Sequence, residues 1–129
     1  MKINEIITES LTGQQMLAVF RQHKHHSRER NATMDQFILD HDWGIKMIDA
    51  RGLPRPHEID NDPFDRIIDI DPDQVGHVKD QLIHKQKIEP IIMGPHGHVI
   101  DGNHRLTAAQ ELGQDIMAYV PMEAEVDRR

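Results

Sequence analysis

The 129-residue chain has no cysteine, one tryptophan, one tyrosine and three phenylalanines. Without cysteine there is no disulfide framework, no thiolate nucleophile and no Cys-ligated zinc. Long apolar runs are missing too. Apolar runs last only a few residues, as in Ile91-Ile92-Met93, far below the ~18 residues a transmembrane helix needs. The segment from Met1 to Ser10 lacks the apolar block and small-residue cleavage site of a signal peptide. Positive charge is the scarcer sign, with 15 Lys and Arg against 22 Asp and Glu, for a net charge of −7. These absences predict a small soluble cytoplasmic domain with no membrane contact. Its chemistry must use His, carboxylates, Arg, hydroxyls or a borrowed metal. At 37% hydrophobic and 29% charged, the chain has the composition of one domain that folds unaided.

The charge is unevenly placed. Residues 1–57 carry 8 Lys and Arg against 7 Asp and Glu, whereas residues 58–129 carry 7 against 15. An acidic half is a poor generic binder of duplex DNA, because backbone binding rests on neutralising phosphates. A compact phosphate site is still open to it, since that needs one Arg and a few backbone N–H groups. The one basic island, Arg21 to Arg30, reads as a solvated helix end or loop, or as a track for nucleic acid or a partner.

Met16, Leu17 and Phe20 have the spacing of a short helix beginning near Thr12. A second helix is expected from Thr33 as N-cap, with Phe37, Ile38 and His41 on one face and Gly44 ending it. Ile45 to Ile48 fits either a short strand or another helical turn. Residues 52–65 contain three prolines and read as a loop, the border between a helical N-terminal extension (1–64) and a core (65–121), with a tail at 122–129. In the core, Arg66 to Ile70 reads as a strand. Asp71 and Pro72 then open a helix carrying Val75, Val78, Leu82 and Ile83, ending near Gln86. Pro90 to Met93 and His98 to Ile100 form a hairpin around Gly94-Pro95-His96-Gly97. Asn103 starts a helix with Leu106, Ala109 and Leu112 inward, stopped by Gly113. Ile116 to Val120 closes as a strand. The predicted class is α+β, a β-α-β-β-α-β core with an α-helical front piece.

The informative segment is Asp101-Gly102-Asn103-His104-Arg105. Gly102 permits a sharp turn and close approach of a ligand to the main chain. Unpaired N–H groups at the following helix start form an anion site, helped by the dipole. Arg105 in the first turn opposes that dipole, a placement that makes sense if an anion is expected there. His104 adds a donor or a group titrating near neutral pH. Asp101 is a candidate to hold His104, bind a metal or accept a proton, and Thr107 to add a hydroxyl. Other constellations are weaker. Asp69-Ile70-Asp71-Pro72-Asp73 lacks the Gly and Glu of a calcium loop. His23, His25 and His26 lie on one run, which seldom closes a metal site, and His96 and His98 flank an exposed hairpin turn. Glu58 and Asp65 are candidate carboxylates for a phosphoryl-transfer base.

The Asp101–Arg105 box, followed by Ala108-Ala109 and Leu112-Gly113, resembles the signature of the ParB/sulfiredoxin superfamily. Ile70-Asp71-Pro72 into a helix, Glu89-Pro90-Ile91-Ile92, a hairpin and a last strand extend the resemblance over about residues 65–121. It implies a nucleotide-phosphate pocket at the box: Gly102, Asn103, His104, Arg105 and Thr107 as binding residues, Asp101, His104 and Glu58 as catalytic ones. It also implies a nucleoside di- or triphosphate ligand, with Mg2+. The box looks closest to the Asp-Gly-His-His-Arg form of kinase-like members, with Asn103 in place of the first His. Sulfiredoxins need a cysteine where Asn103 stands, so that activity is excluded. Partition proteins carry a helix-turn-helix after the box, so centromere-like DNA binding is not expected of residues 122–129. Three readings follow: phosphoryl hydrolysis or transfer on a nucleotide, a ParB-like nuclease, and a non-catalytic module sensing a nucleotide or docking a protein through the N-terminal helices.

Overall fold

The computed structural model describes residues 10–22, 32–56, 64 and 69–122. Within them the chain runs β1 (Ser10–Leu11), α1 (Gly13–Arg21), α2 (Ala32–Leu39), β2 (Asp42–Asp49), α3 (Pro72–Ile83), β3 (Ile91–Met93), β4 (Val99–Asp101), α4 (Asn103–Leu112) and β5 (Asp115–Met122). The architecture is α+β, with one mixed five-stranded sheet in the order β1-β2-β5-β3-β4. β5 lies antiparallel to β2 over eight residue pairs and parallel to β3, and β3 pairs antiparallel with β4.

Alternation along the strands sorts the core into two faces. Ile92 and Ile100 join Met16, Leu17, Phe20, Met34, Ile38, Trp43 and Phe64 on one side. Ile91, Met93 and Val99 join Leu106, Ala109, Ile116 and Ala118 on the other. Helices α1 and α2 therefore cover one face, and α3 and α4 cover the opposite one.

Local chemistry fixes the elements. Helix α1 opens on a capping box: the Gln15 N–H donates to Thr12 Oγ1 at 3.1 Å, and the Thr12 N–H donates to Gln15 Oε1 at 2.9 Å. Helix α2 starts at Ala32 and ends at Leu39, so Thr33 lies inside it rather than capping it. His41 falls beyond its end, and Gly44 is a buried strand residue paired with Val120. The Trp43 indole N–H donates to the Ile38 carbonyl at 3.0 Å, satisfying a carbonyl near the helix end. That bond requires the chain to reverse immediately after the helix.

Ile45 to Ile48 belongs to a strand. Its partner β5 provides a full ladder, which a helical turn there would forgo. The segment 1–64 is consequently not wholly helical: it contributes β1 and β2, and the sheet crosses the 64/65 border. Of the strand expected at 66–70, residues 66–68 lie outside the described residues, and Asp69 and Ile70 are irregular. Helix α3 begins as expected, with the Asp73 N–H donating to Asp71 Oδ1 at 2.9 Å and Pro72 at its first position. It stops at Ile83, which is 58% exposed.

Candidate functional site

Asp101 is the last residue of β4 and almost wholly buried, so the strand carries it inward before Gly102 breaks the path. Gly102 has φ +106°, in the left-handed region. A Cβ there would stand 2.6 Å from Ile91 Cγ2 and 2.9 Å from Arg105 Nη2. The glycine thus lets the Arg105 guanidinium fold back over the turn. Nη2 of Arg105 lies 3.5 Å from Oδ1 of Asp101, one helical turn earlier in sequence. This pair answers the sequence puzzle of a cation at a helix start: a buried carboxylate supplies an internal anion. The contact is a loose ion pair, and the Arg105 side chain makes no hydrogen bond among the described residues.

The α4 N-terminus has no side-chain cap. Asn103 stands at the first helical position, and its carboxamide makes no hydrogen bond among the described residues. Thr107 is buried, and its hydroxyl donates to the Asn103 carbonyl at 2.9 Å. The oxygen offered to a ligand by the sequence reading is thus turned into its own helix. Leu106 N–H closes the first turn on the Gly102 carbonyl at 2.8 Å. The N–H groups of Asn103 and Arg105, ahead of that bond, have no partner among the described residues.

His104 makes the contact that sequence reasoning missed. Its Nε2 accepts the backbone N–H of Asp71, the N-cap of α3, at 2.9 Å. Two turns further along, Lys79 Nζ donates to Glu111 Oε1 at 2.8 Å. The two contacts advance in the same direction along both helices, so α3 and α4 lie side by side and parallel, with their N-termini together. Two positive dipole ends meet there. An Nε2 that accepts is unprotonated, so the neutral ring carries its proton on Nδ1.

At the far end of α4, Gln110 is buried and its Nε2 reaches the carbonyls of Ala50, Leu53 and Pro54 at 3.2, 3.0 and 3.3 Å. Its Oε1 is buried without a hydrogen-bond partner among the described residues. The buried residues of α4 are therefore Leu106, Thr107, Ala108, Ala109 and Gln110, with Leu112 only half-buried. Nearby, Asp49 and Asp115 stand opposite each other across β2 and β5, a like-charge pairing. Arg51 relieves it. Its Nε donates to Asp49 Oδ1 at 2.9 Å, which holds the Asp49 carboxyl below the usual range and raises Arg51 itself.

The remaining candidates are dispersed or undescribed. Glu58, Asp65, His23, His25 and His26 lie outside the described residues, as does the basic island beyond Gln22. Arg21 is 4.0 Å from Asp35. His98 Nδ1 sits 3.1 Å from the Pro95 carbonyl. Among the described residues no three His, Asp or Glu side chains gather to hold a metal ion. No helix among them is long and apolar enough to cross a membrane. Comparison with protein-family models, curated proteins and solved structures finds no match to this chain.

Proposed function

We propose that the chain binds the phosphate of a nucleotide at the Asp101–Arg105 box, in the manner of ParB/sulfiredoxin-like proteins. One observation carries the reading: two parallel helix N-termini meet at His104 and Asp71, beside the N–H groups of Asn103 and Arg105 and an Arg105 guanidinium that make no hydrogen bond among the described residues. Donors converging at two dipole ends suit a phosphate oxygen better than any neutral group. Gly102, lacking a Cβ, lets the Arg105 guanidinium lie over the turn. Arg105, anchored by Asp101, supplies the countercharge.

Binding or sensing is favoured over phosphoryl transfer and over nuclease action. Asp101 is buried against Arg105, and the Nε2 of His104 is taken up by the Asp71 N–H, which weighs against either as a general base. Any Mg2+ would arrive with the nucleotide's own phosphates.

Calorimetric titration of ATP, ADP, CTP and GTP with Mg2+ into wild type and Arg105→Ala tests the reading. Binding that weakens about tenfold or more in the variant supports it, the loss expected for one charge-assisted contact. Absence of binding by every nucleotide overturns it. Turnover abolished in Asp101→Asn with binding retained would restore the catalytic reading.

A further inference from the structure

We propose that His104 is a positioning residue, a proton-operated latch between the N-termini of α3 and α4. Its relevance to ligand binding rests on the phosphate reading above; the latch itself does not. The Asp71 N–H is one of the orphan donors of a helix start, and His104 Nε2 satisfies it across more than thirty residues of sequence. Only the neutral ring can do so. Protonation at Nε2 replaces the acceptor with an N–H aimed at another N–H, and the bond is lost. The proton taken up comes from solvent, and the ring becomes cationic.

The groups around the ring pull in opposite directions. Among the described residues, the charged side chains at the ends of the elements that meet at this joint are Asp69, Asp71 and Asp73 at the start of α3, Asp101 at the end of β4 and Arg105 on α4. Carboxylates favour the charged ring, while Arg105 and the Asp71 N–H favour the neutral one. Asp71 itself is committed on both sides. Its N–H goes to His104 and its carboxylate to the Asp73 N–H. Losing the first therefore frees the cap as a unit. The paired helix starts are held above the His104 titration and released below it. On the far side of that joint, the Lys79–Glu111 pair remains and keeps the helices alongside each other, so the opening is local.

The test uses the full chain without ligand. Long-range 15N–1H correlations report the ring tautomer, and amide exchange at Asp71, corrected for intrinsic rate, reports the latch across the histidine range. Wild type should show the Nδ1–H tautomer at high pH and lose about fivefold to tenfold of its Asp71 protection as the ring protonates, the worth of one net hydrogen bond. His104→Gln, whose Oε1 can stand where Nε2 does, should keep that protection at every pH. His104→Ala should lack it throughout. An Nε2–H tautomer, or Asp71 protection indifferent to ring protonation in wild type, overturns the latch. Nucleotide binding with an indifferent Asp71 leaves the phosphate reading standing alone. A titrating Asp71 in a chain that binds no nucleotide does the reverse.

Discussion

Helices α1 and α2 meet the sheet through Met16, Phe20, Met34, Ile38 and Trp43, none of which retains exposed surface. Helices α3 and α4 meet the opposite face through a thinner apolar set: α3 buries only Val75. There the fit is completed by polar hooks: His104 to Asp71, Lys79 to Glu111, and Gln110 to three loop carbonyls. Burial is non-directional and tolerates small displacements, whereas hydrogen bonds fix position and angle. The first face is built for free energy, and the second for placing two helix ends and a turn. The candidate site lies on the second.

The contrast can be broken from either side. Trp43→Ala should produce the largest effect, about 3–5 kcal/mol from lost packing together with the lost bond to Ile38. Urea denaturation would measure it, and box chemistry should be unaffected wherever the fold survives. Gly102→Ala should cost about 2–4 kcal/mol from backbone strain and overlap with Ile91. Unlike the first variant, it should also displace Arg105, so nucleotide affinity falls out of proportion to stability. Gln110→Leu should cost about 1–3 kcal/mol, because three carbonyls lose one donor, and local amide exchange should rise around 50–54. Lys79→Ala should cost ~0.2–1 kcal/mol, as expected of a partly exposed ion pair, and the difference should shrink in high salt. The smallest effect belongs to Asp49. Its carboxyl is lowered by the Arg51 side-chain hydrogen bond, so its contribution is complete at neutral pH. That contribution is lost only as pH falls through Asp49's own titration, below the ordinary aspartate range. Arg51→Ala should erase this acid limb in unfolding midpoints followed from neutral to low pH.

Local features were legible in the sequence where the chemistry is local. Thr12 preceding Met16, Leu17 and Phe20, Asp71-Pro72, the Gly94–Gly97 turn and the Gly102 and Gly113 breaks all depend on neighbours within one or two turns, and each stands where the pattern predicts. Ile45 to Ile48 was ambiguous because only pairing with β5, some seventy residues later, selects a strand. Gly44 suggests a later end for α2 than Leu39, where the helix stops because the chain turns at Trp43. The box was legible as residue types and as a helix start. Its partner was not: nothing in Asp71 announces that His104 will accept its N–H. Gln110 did leave a signal. It lies four residues after Leu106, on the inward stripe, and a polar residue on that stripe must find partners.

β5 occupies the middle of the sheet, between β2 and β3, yet it is the last strand among the described residues. During synthesis β2 emerges long before the strand that completes its ladder. At roughly 5–20 residues per second the interval lasts several seconds. Throughout it the β5-facing edge of β2 is open to solvent and to other nascent chains, an association hazard that ends only when residues 115–122 arrive. The sheet is therefore assembled as a late, whole-chain event rather than strand by strand.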